Sequence, residues 1–428
     1  MASDSLYRLA FEYKKTKLWN KLRDDEVFAI KLPDGETGYI SIMGMAGDYI
    51  AAGIYIGRKG FNSYMVIAST YGHDFKSRLL YQECLLQQEC LQCTFQDKAN
   101  LSKEEAAEVM DYADRNNATL KGSNAWPQFV KYRAGYCPWI IQTEQDEVYI
   151  AEALKAATAL AGMLKQGNLP VFDSTGGSGK IPFLEKNGDG YSISSIEVPE
   201  PLPEEYAMPG IYNDINVAKL KNMGKSGVWE CELVQYPEPV RNNPDEVPHF
   251  PMMFLAVESN TGFILPVSPV EYFEESSEKL LDILVEAFLM QNICPKVIHV
   301  RDKRSYCFLE GLCKRIRTKL VIEPELPSLD DAEEDLLEHI NGSEEENLQD
   351  IMKVFNELVK LSDEELLGLP DIVTNQFEVL VKKNILPEQL SERLDKVFNF
   401  TGTRSREGRT KSNVISIKPG IQQPKPLK

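Results

Sequence analysis

Residues 296–306 read KVIHVRDKRSY, a short apolar run that passes directly into a charged cluster. The β-branched residues of the run predict a buried strand, and the apolar spacing that follows predicts a helix. Asp302 lies between the two elements. Functional groups collect at the carboxyl ends of strands in open α/β sheets, so Asp302 is either one arm of a metal site or the N-cap of the helix. We predict the N-cap, with a hydrogen bond from the backbone near Ser305.

The sequence on either side of this stretch alternates strands and helices in the order βββαβαβ. Helices between the last strands require parallel pairing through right-handed crossovers, whereas the opening hairpins are antiparallel. This order is similar to the ribonuclease H-like fold used by integrases and transposases. The predicted strands cover residues 228–234, 252–259, 263–267, 296–300 and 319–324, and the predicted helices cover 280–288 and 308–316.

The chain before this α/β domain predicts an α+β domain over residues 1–167. Ser102 and Glu105 form a capping box, which predicts the start of one of its helices. The other predicted helices cover 6–22, 73–92 and 147–165, and the predicted strands cover 26–32, 37–43, 49–57 and 64–69.

Composition marks the remaining boundaries. Residues 168–210 are rich in Pro, Gly and Glu and predict a connection with a hairpin at the sequence NGDG, and the second domain then covers 211–340. Apolar residues at helical spacing predict a small all-α module over 341–400. Residues 401–428 carry seven basic residues and one acid among Gly, Pro, Ser and Thr, which predicts a disordered basic tail.

The overall composition excludes several classes of protein. The 428 residues are 43% hydrophobic, with a net charge of -18. No stretch approaches the roughly 20 apolar residues of a membrane helix, and the N-terminus lacks the order of a signal peptide. Eight cysteines without a disulfide pattern predict reduced thiols, so we expect a cytoplasmic protein. A surface this acidic disfavours nucleic acid as a partner, except through the basic tail.

Four stretches resemble a known family. SIMGMAGDYIAAGIYIGRKGF, SNAWPQFVKYRAGYCPW, GVWECELVQYPEPV and PKVIHVRDKRSYCFLEGL are similar to an uncharacterised bacterial family that has two adjoining domains of unknown function. The resemblance covers roughly residues 5–335 of this chain. It implies no activity, so any mechanism has to come from the residues themselves.

A glycine-rich stretch and a group of cysteines suggest ligands only weakly. GGSGK, at residues 176–180, lacks the first Gly and the following Ser or Thr of a phosphate-binding P-loop, which favours a flexible linker. Cys84, Cys90 and Cys93 could bind zinc together with His73. In one continuous helix, however, Cys84 and Cys93 would lie on opposite faces, so we favour half-buried thiols and no metal.

An aromatic segment over residues 126–139 has two interpretations. Aromatic and cationic side chains can bind a peptide or stack on bases, but large rings between two prolines can equally fill the core of the first domain behind an irregular edge. We predict that the segment packs on the first domain with at most one exposed tryptophan. If the protein has a recognition surface, the candidate residues are Trp126, Phe129, Tyr132, Arg133, Tyr136 and Trp139.

The ribonuclease H-like resemblance implies a second candidate site, in which carboxylates hold two Mg²⁺ or Mn²⁺ ions. Glu232 lies three residues after a tryptophan, as in integrases, Asp302 follows the fourth strand, and a later acid comes from Asp331, Glu333 or Glu334. Glu in place of Asp at the first position displaces the oxygen ligand. The later acids lie in a run of like charge that is typical of a solvated helix start.

These observations favour a non-catalytic protein that binds another protein or a peptide and needs no cofactor. The alternative is a divalent-metal-dependent nuclease or phosphotransferase that uses Glu232, Asp302 and Glu334. The two hypotheses differ in whether the carboxylates converge on one ion. The sequence makes no prediction of the oligomeric state.

Overall fold

The computed structural model describes residues 2–47, 49–70, 77–167, 172, 179–188, 190–211, 213–338, 340, 393 and 397. The chain divides into two compact units with a boundary between Glu333 and Glu334, and both sheets lie in the first unit. The described part is a mixed α/β structure. The predicted helical module over 341–400 and the predicted tail over 401–428 lie outside the described residues, apart from Arg393 and Val397.

Eight strands form the sheet of the first domain: β1 (Phe28–Lys31), β2 (Thr37–Met43), β3 (Ile50–Ile56), β4 (Cys90–Gln96), β5 (Trp126–Tyr132), β6 (Trp139–Ile140), β7 (Lys180–Asn187) and β8 (Gly190–Glu197). Their order across the sheet is β6-β5-β4-β3-β2-β1-β7-β8. All neighbours are antiparallel except β1 and β7, which are parallel.

The helices of the first domain cover both faces of this sheet. Residues of α1, α4 and α5 pack with the strands into the main core, whereas Phe61 and Tyr64 of α2 pack on the opposite face. Gly60 allows the close approach of α2, because a Cβ atom there would lie 2.9 Å from the carbonyl carbon of Tyr55. The helices are α1 (Asp4–Thr16), α2 (Gly57–Thr70), α3 (Arg78–Leu86), α4 (Lys103–Asn116) and α5 (Glu144–Lys165), with 3₁₀ turns at Leu18–Asn20 and Lys98–Asn100.

Three of the helices and strands predicted for the first domain differ from the structure. The helix predicted over 6–22 ends at Thr16, and a 3₁₀ turn follows it. Residues 64–69 were expected to form a strand but belong to helix α2. The helix predicted over 73–92 is shorter, because α3 ends at Leu86 and the chain then enters strand β4. A short apolar run fits either a helix or a buried strand, so its period alone does not distinguish the two.

The predicted hairpin at NGDG forms, but it is part of a sheet. Strands β7 and β8 pair from Lys180–Glu197 to Asn187–Gly190, and β7 also pairs with β1 at Ala29 and Ile30. The region predicted as a connection therefore completes one edge of the first sheet.

Four strands form the sheet of the second domain: β9 (Lys225–Gln235), β10 (Met252–Glu258), β11 (Cys294–Val300) and β12 (Lys319–Ile322). Their order is β10-β9-β11-β12. β10 and β9 are antiparallel, and β11 is parallel to both β9 and β12. The helices between the last strands are the right length for such parallel crossovers.

The third strand predicted for this domain, over 263–267, does not form. Only isolated bridges connect this region to β10, between Val257 and Ile264 and between Met252 and Val270. Pro266 and Pro269 lack the backbone N–H that a strand ladder needs, which accounts for the difference. The observed order from β9 to β12 is therefore ββαβαβ, not the predicted βββαβαβ.

The helices of the second domain cover both faces of its sheet. Residues of α6 (Asp214–Lys221), α7 (Phe273–Met290) and α8 (Lys303–Ile316) pack on one face. On the other face, Leu255 and Val257 pack against Leu329 and Ala332 of a helix that begins at residue 327. Glu232 pairs with Leu255 across the β9–β10 ladder, so its side chain lies on this second face.

Candidate functional site

Asp302 is the N-cap of helix α8. Its side chain accepts a hydrogen bond of 2.6 Å from the backbone N–H of Ser305, and its own backbone is extended. The prediction made for this residue is confirmed. The hydroxyl of Ser305 accepts a 3.0 Å hydrogen bond from the Leu233 N–H, which fixes the start of α8 against strand β9. The Asp302 carboxylate is thus hydrogen-bonded to the backbone of its own helix.

Glu232 lies in the middle of β9 and is completely buried. Its Oε1 accepts a hydrogen bond of 3.1 Å from Nε of Arg301, the residue that follows β11. The other end of the Arg301 guanidinium contacts the carboxylate of Asp330. One guanidinium therefore bridges an acid on strand β9 and an acid on the helix that begins at residue 327.

Glu333 connects this cluster to the first domain. The Ser77 hydroxyl lies 3.1 and 2.9 Å from the two carboxylate oxygens of Glu333, and both residues are buried. Ser77 is also the N-cap of α3, where it accepts a 3.0 Å hydrogen bond from the Leu80 N–H. The start of α3 is therefore attached to the helix that begins at residue 327.

A second contact between the domains involves Glu83 in the middle of α3. Its carboxylate pairs with Arg304, at 3.0 Å from Nη2, and accepts a 3.1 Å hydrogen bond from the Gln235 N–H. Arg304 also donates to the Leu233 carbonyl oxygen. We call these side chains the junction network: Ser77, Glu83, Glu230, Glu232, Arg301, Asp302, Arg304, Asp330 and Glu333.

This environment favours the protonated form of the Glu232 carboxyl group. Burial raises the pKa of Glu232 to about 9, and the hydrogen bond and charge of Glu333 add to that effect, whereas Arg301 opposes it. The Oε2 atom of Glu232 is buried and accepts no hydrogen bond from the described residues. A protonated Oε2 can donate to Glu333 while Oε1 still accepts from Arg301.

This geometry does not fit a divalent metal. Glu232 and Glu333 do come together, but the guanidinium of Arg301 lies where a cation would be needed between Glu232 and Asp330. Asp331 is exposed. No group of three or more His, Cys, Asp or Glu side chains within the described ranges could hold a metal ion. Glu334, the third acid of the sequence-predicted triad, lies in the other unit of the chain.

The aromatic segment separates into a buried half and a surface half. Trp126 and Phe129 belong to the main core of the first domain, and Tyr132 contacts the hydroxyl of Tyr49 at 3.4 Å. Trp126 is buried and Trp139 is half-buried, so the prediction of at most one exposed tryptophan is confirmed. The expected irregular edge is wrong, because residues 126–132 form strand β5 between β4 and β6.

The surface half continues across to the second domain. Ring centroids are 6.4 Å apart for Trp139 and Tyr136, 5.9 Å for Tyr136 and His249, and 4.5 Å for His249 and Tyr272. The guanidinium of Arg133 lies 4.7 Å from the Tyr136 ring and is exposed. We call these five side chains the aromatic row. The aromatic segment of the sequence indicates Arg133, Tyr136 and Trp139, whereas His249 and Tyr272 carry no local signal and were not predicted.

The row is held in position by the backbone and by acids of the second domain. The Cys137 N–H donates to Pro248 and the Phe250 N–H to Gly135, each at 2.8 Å. His249 is buried, with Nε2 at 3.5 Å from Glu271 and Nδ1 at 4.0 Å from Glu246. Neither ring nitrogen has a hydrogen-bond partner among the described residues.

The cysteine group does not fit zinc, for a reason other than the predicted one. Cys90 and Cys93 lie on strand β4, and Cys93 packs in the main core while Cys90 packs on the opposite face. Three residues along a strand reverse the side-chain direction, so the two thiols point apart. Cys84 is on helix α3. His73 lies outside the described residues.

Two further expectations concern the glycine-rich stretch GGSGK and membrane-spanning helices. Residues 176–178 of GGSGK lie outside the described residues, and Lys180 begins strand β7, where a P-loop would begin a helix. Among the helices that the structure describes, none combines the length and apolar character needed to cross a bilayer.

Two family models match the chain, each over one of its sheets. Residues 4–178 match the model described as "Domain of unknown function (DUF7309)", and residues 216–337 match "Domain of unknown function (DUF6930)". The hairpin β7–β8 falls between the two matches. The comparisons with curated proteins and with solved structures gave no significant match. The chain therefore carries two adjoining domains of unknown function.

Proposed function

We propose that this protein is non-catalytic and binds a protein or peptide partner through the aromatic row. The observation that carries the proposal is the continuity of the row across the two domains, where the rings of Tyr136 and His249 meet with their centroids 5.9 Å apart. Trp139 and Arg133 extend the row on the first domain, and Tyr272 extends it on the second. Tyr, Trp and Arg supply most of the binding energy at protein interfaces, because they present large, rigid contact areas.

The chemistry of the row favours a peptide. Tyr272 and Ile140 are exposed to 42% and 37%, so apolar contact area is accessible beside the exposed Arg133. The Glu271 carboxylate lies 3.5 Å from Nε2 of His249, accepts a hydrogen bond from the Asn242 side chain and is 40% exposed. A peptide can place apolar side chains on the rings and donate a hydrogen bond to this carboxylate.

The second part of the proposal is a degenerate ribonuclease H-like domain without catalysis. The ββαβαβ order with parallel pairing of β9, β11 and β12 supports the topology. The use of Asp302 as a cap and of Arg301 as the partner of Glu232 supports the loss of catalysis. The eight cysteines are all unpaired thiols, which supports a cytoplasmic location. Bacterial origin rests on the resemblance of the quoted stretches.

A selection with a random peptide library tests the binding proposal. The full-length protein is the bait, and the test variant is Arg133→Ala combined with Tyr272→Ala. We expect the wild type to enrich peptides that the variant does not retain. Met208→Ala, which removes an apolar side chain that is 71% exposed elsewhere on the surface, is the matched control and should retain them. Equal retention by the wild type and the double variant contradicts the proposal.

A metal titration tests the alternative, a nuclease or phosphotransferase that uses Glu232 and Asp302. Calorimetry with Mg²⁺ and Mn²⁺ should show no stoichiometric binding, and single- and double-stranded nucleic acid should remain intact. Cleavage that requires metal and disappears in Asp302→Asn would instead establish the enzyme, because Asn preserves the cap but not the charge of a metal ligand.

A further inference from the structure

The junction network contains more acid than base. Within the described residues, two guanidinium groups, those of Arg301 and Arg304, face six carboxyl groups. These groups come from every element that packs there, namely α3, β9, the start of α8 and the helix that begins at residue 327. The six acids are Glu83, Glu230, Glu232, Asp302, Asp330 and Glu333.

The outer acids of the network are satisfied individually. Asp302 accepts from Ser305, Glu83 pairs with Arg304, and Glu230 accepts a 2.9 Å hydrogen bond from the buried Leu329 N–H. Asp330 pairs with Arg301. Two carboxyl groups then remain for the centre, where Glu232 and Glu333 contact each other out of reach of solvent.

Two ionised carboxylates cannot share a dry site, since their repulsion is not screened there. We propose that the buried pair of Glu232 and Glu333 holds one proton at neutral pH, and that loss of this proton releases helix α3 from the second domain. Ser77, the N-cap residue of α3, donates a hydrogen bond to Glu333. Repulsion between Glu232 and Glu333 therefore acts directly on a contact that attaches α3 to the second domain.

The direction of the pH effect follows from linkage. The pKa of Glu232 is raised from its ordinary value of 4.5 to about 9 by burial and by Glu333. Its contribution to the attachment of α3 is complete below the ordinary value and is lost as the pH rises toward about 9. Within that window, the equilibrium for release of α3 should increase by up to about tenfold per pH unit, as expected for one proton.

Hydrogen exchange of the full-length protein tests this inference. Protection factors, which are corrected for the intrinsic pH dependence of exchange, are measured for the α3 amides between neutral pH and the pKa of Glu232. The wild type should lose α3 protection as the pH rises, while α4 and α5 remain protected. Glu232→Gln should keep α3 protected throughout, because the Gln amide replaces the O–H donor and does not ionise.

The controls make each outcome decisive. Glu205→Gln changes an exposed acid outside the network and should behave like the wild type. Glu333→Gln provides a second removal of the ionising pair if Glu232→Gln folds poorly. Wild-type protection that does not change with pH overturns the inference, and so does an equal loss in the wild type and in either folded Gln variant. Peptide binding by the aromatic row is independent of all these outcomes.

Discussion

The start of helix α8 and the middle of strand β9 each carry an acid, and the two acids are satisfied differently. Asp302 accepts from Ser305, three residues away, whereas Glu232 depends on Arg301 and Glu333, which are distant in sequence. A local cap needs only its own helix to form. A buried network forms only once several elements have assembled, and every member left without a partner then costs free energy.

This difference predicts an order of sensitivity to substitution. The closer an acid lies to the buried centre, the more groups lose a partner when it is removed. Substitutions at three positions separate the contributions, and each variant is measured as the full-length protein by urea unfolding and by local hydrogen exchange.

Glu232→Ala should have the largest effect. It leaves the Arg301 Nε and the Glu333 carboxylate without their partner and opens a cavity in a completely buried position. We expect a loss of about 3 kcal/mol or more in the free energy of unfolding. The measurement is the shift of the urea midpoint near neutral pH. A loss no larger than that of a surface Glu→Ala control would show that the central pair contributes nothing.

Glu230→Ala should have an intermediate effect. Glu230 is two residues from Glu232 on the same face of β9, but its carboxylate serves one group only, the Leu329 N–H at 2.9 Å. The buried N–H would lose its acceptor, which costs about 2 kcal/mol. Exchange should accelerate at the start of the helix over 327–338 and remain unchanged in α3. Equal acceleration in both helices would show that the two acids act as one unit.

The difference between local and distant partners also explains which features could be predicted from the sequence. The capping box of Ser102 and Glu105 and the cap of Asp302 are complete within four residues, and both form as predicted. Strand β2 covers Thr37–Met43, which is the predicted span, and its interior residues are buried on both faces of the sheet. In each case the signal lies within the segment that adopts the structure.

Features decided by distant partners were missed. Residues 64–69 of helix α2 were predicted as a strand. The position of this helix depends on the fit of Gly60 and Phe61 on the sheet and not on the β-branched residues of 64–69. Nothing near His249 or Tyr272 indicates that they meet Tyr136 across two domains. The pairing of Arg301 with Glu232 was missed for the same reason, since the basic residue follows one strand and the acid lies on another.

Substitution of Asp302 should have the smallest effect and provides the sharpest test of the comparison. Asn accepts a backbone hydrogen bond at an N-cap as well as Asp does, so Asp302→Asn should be nearly neutral, whereas Asp302→Ala should cost about 1 kcal/mol. Exchange should accelerate only in the first turn of α8, where Ser305 loses its acceptor. If the charge of Asp302 instead supported the other members of the junction network, Asn and Ala would cost similar amounts, and the loss of protection would extend to α3. The comparison of the two variants at one site therefore separates a local cap from a long-range charge, because the change from Asp to Asn alters the charge alone and the change from Asp to Ala removes the cap as well.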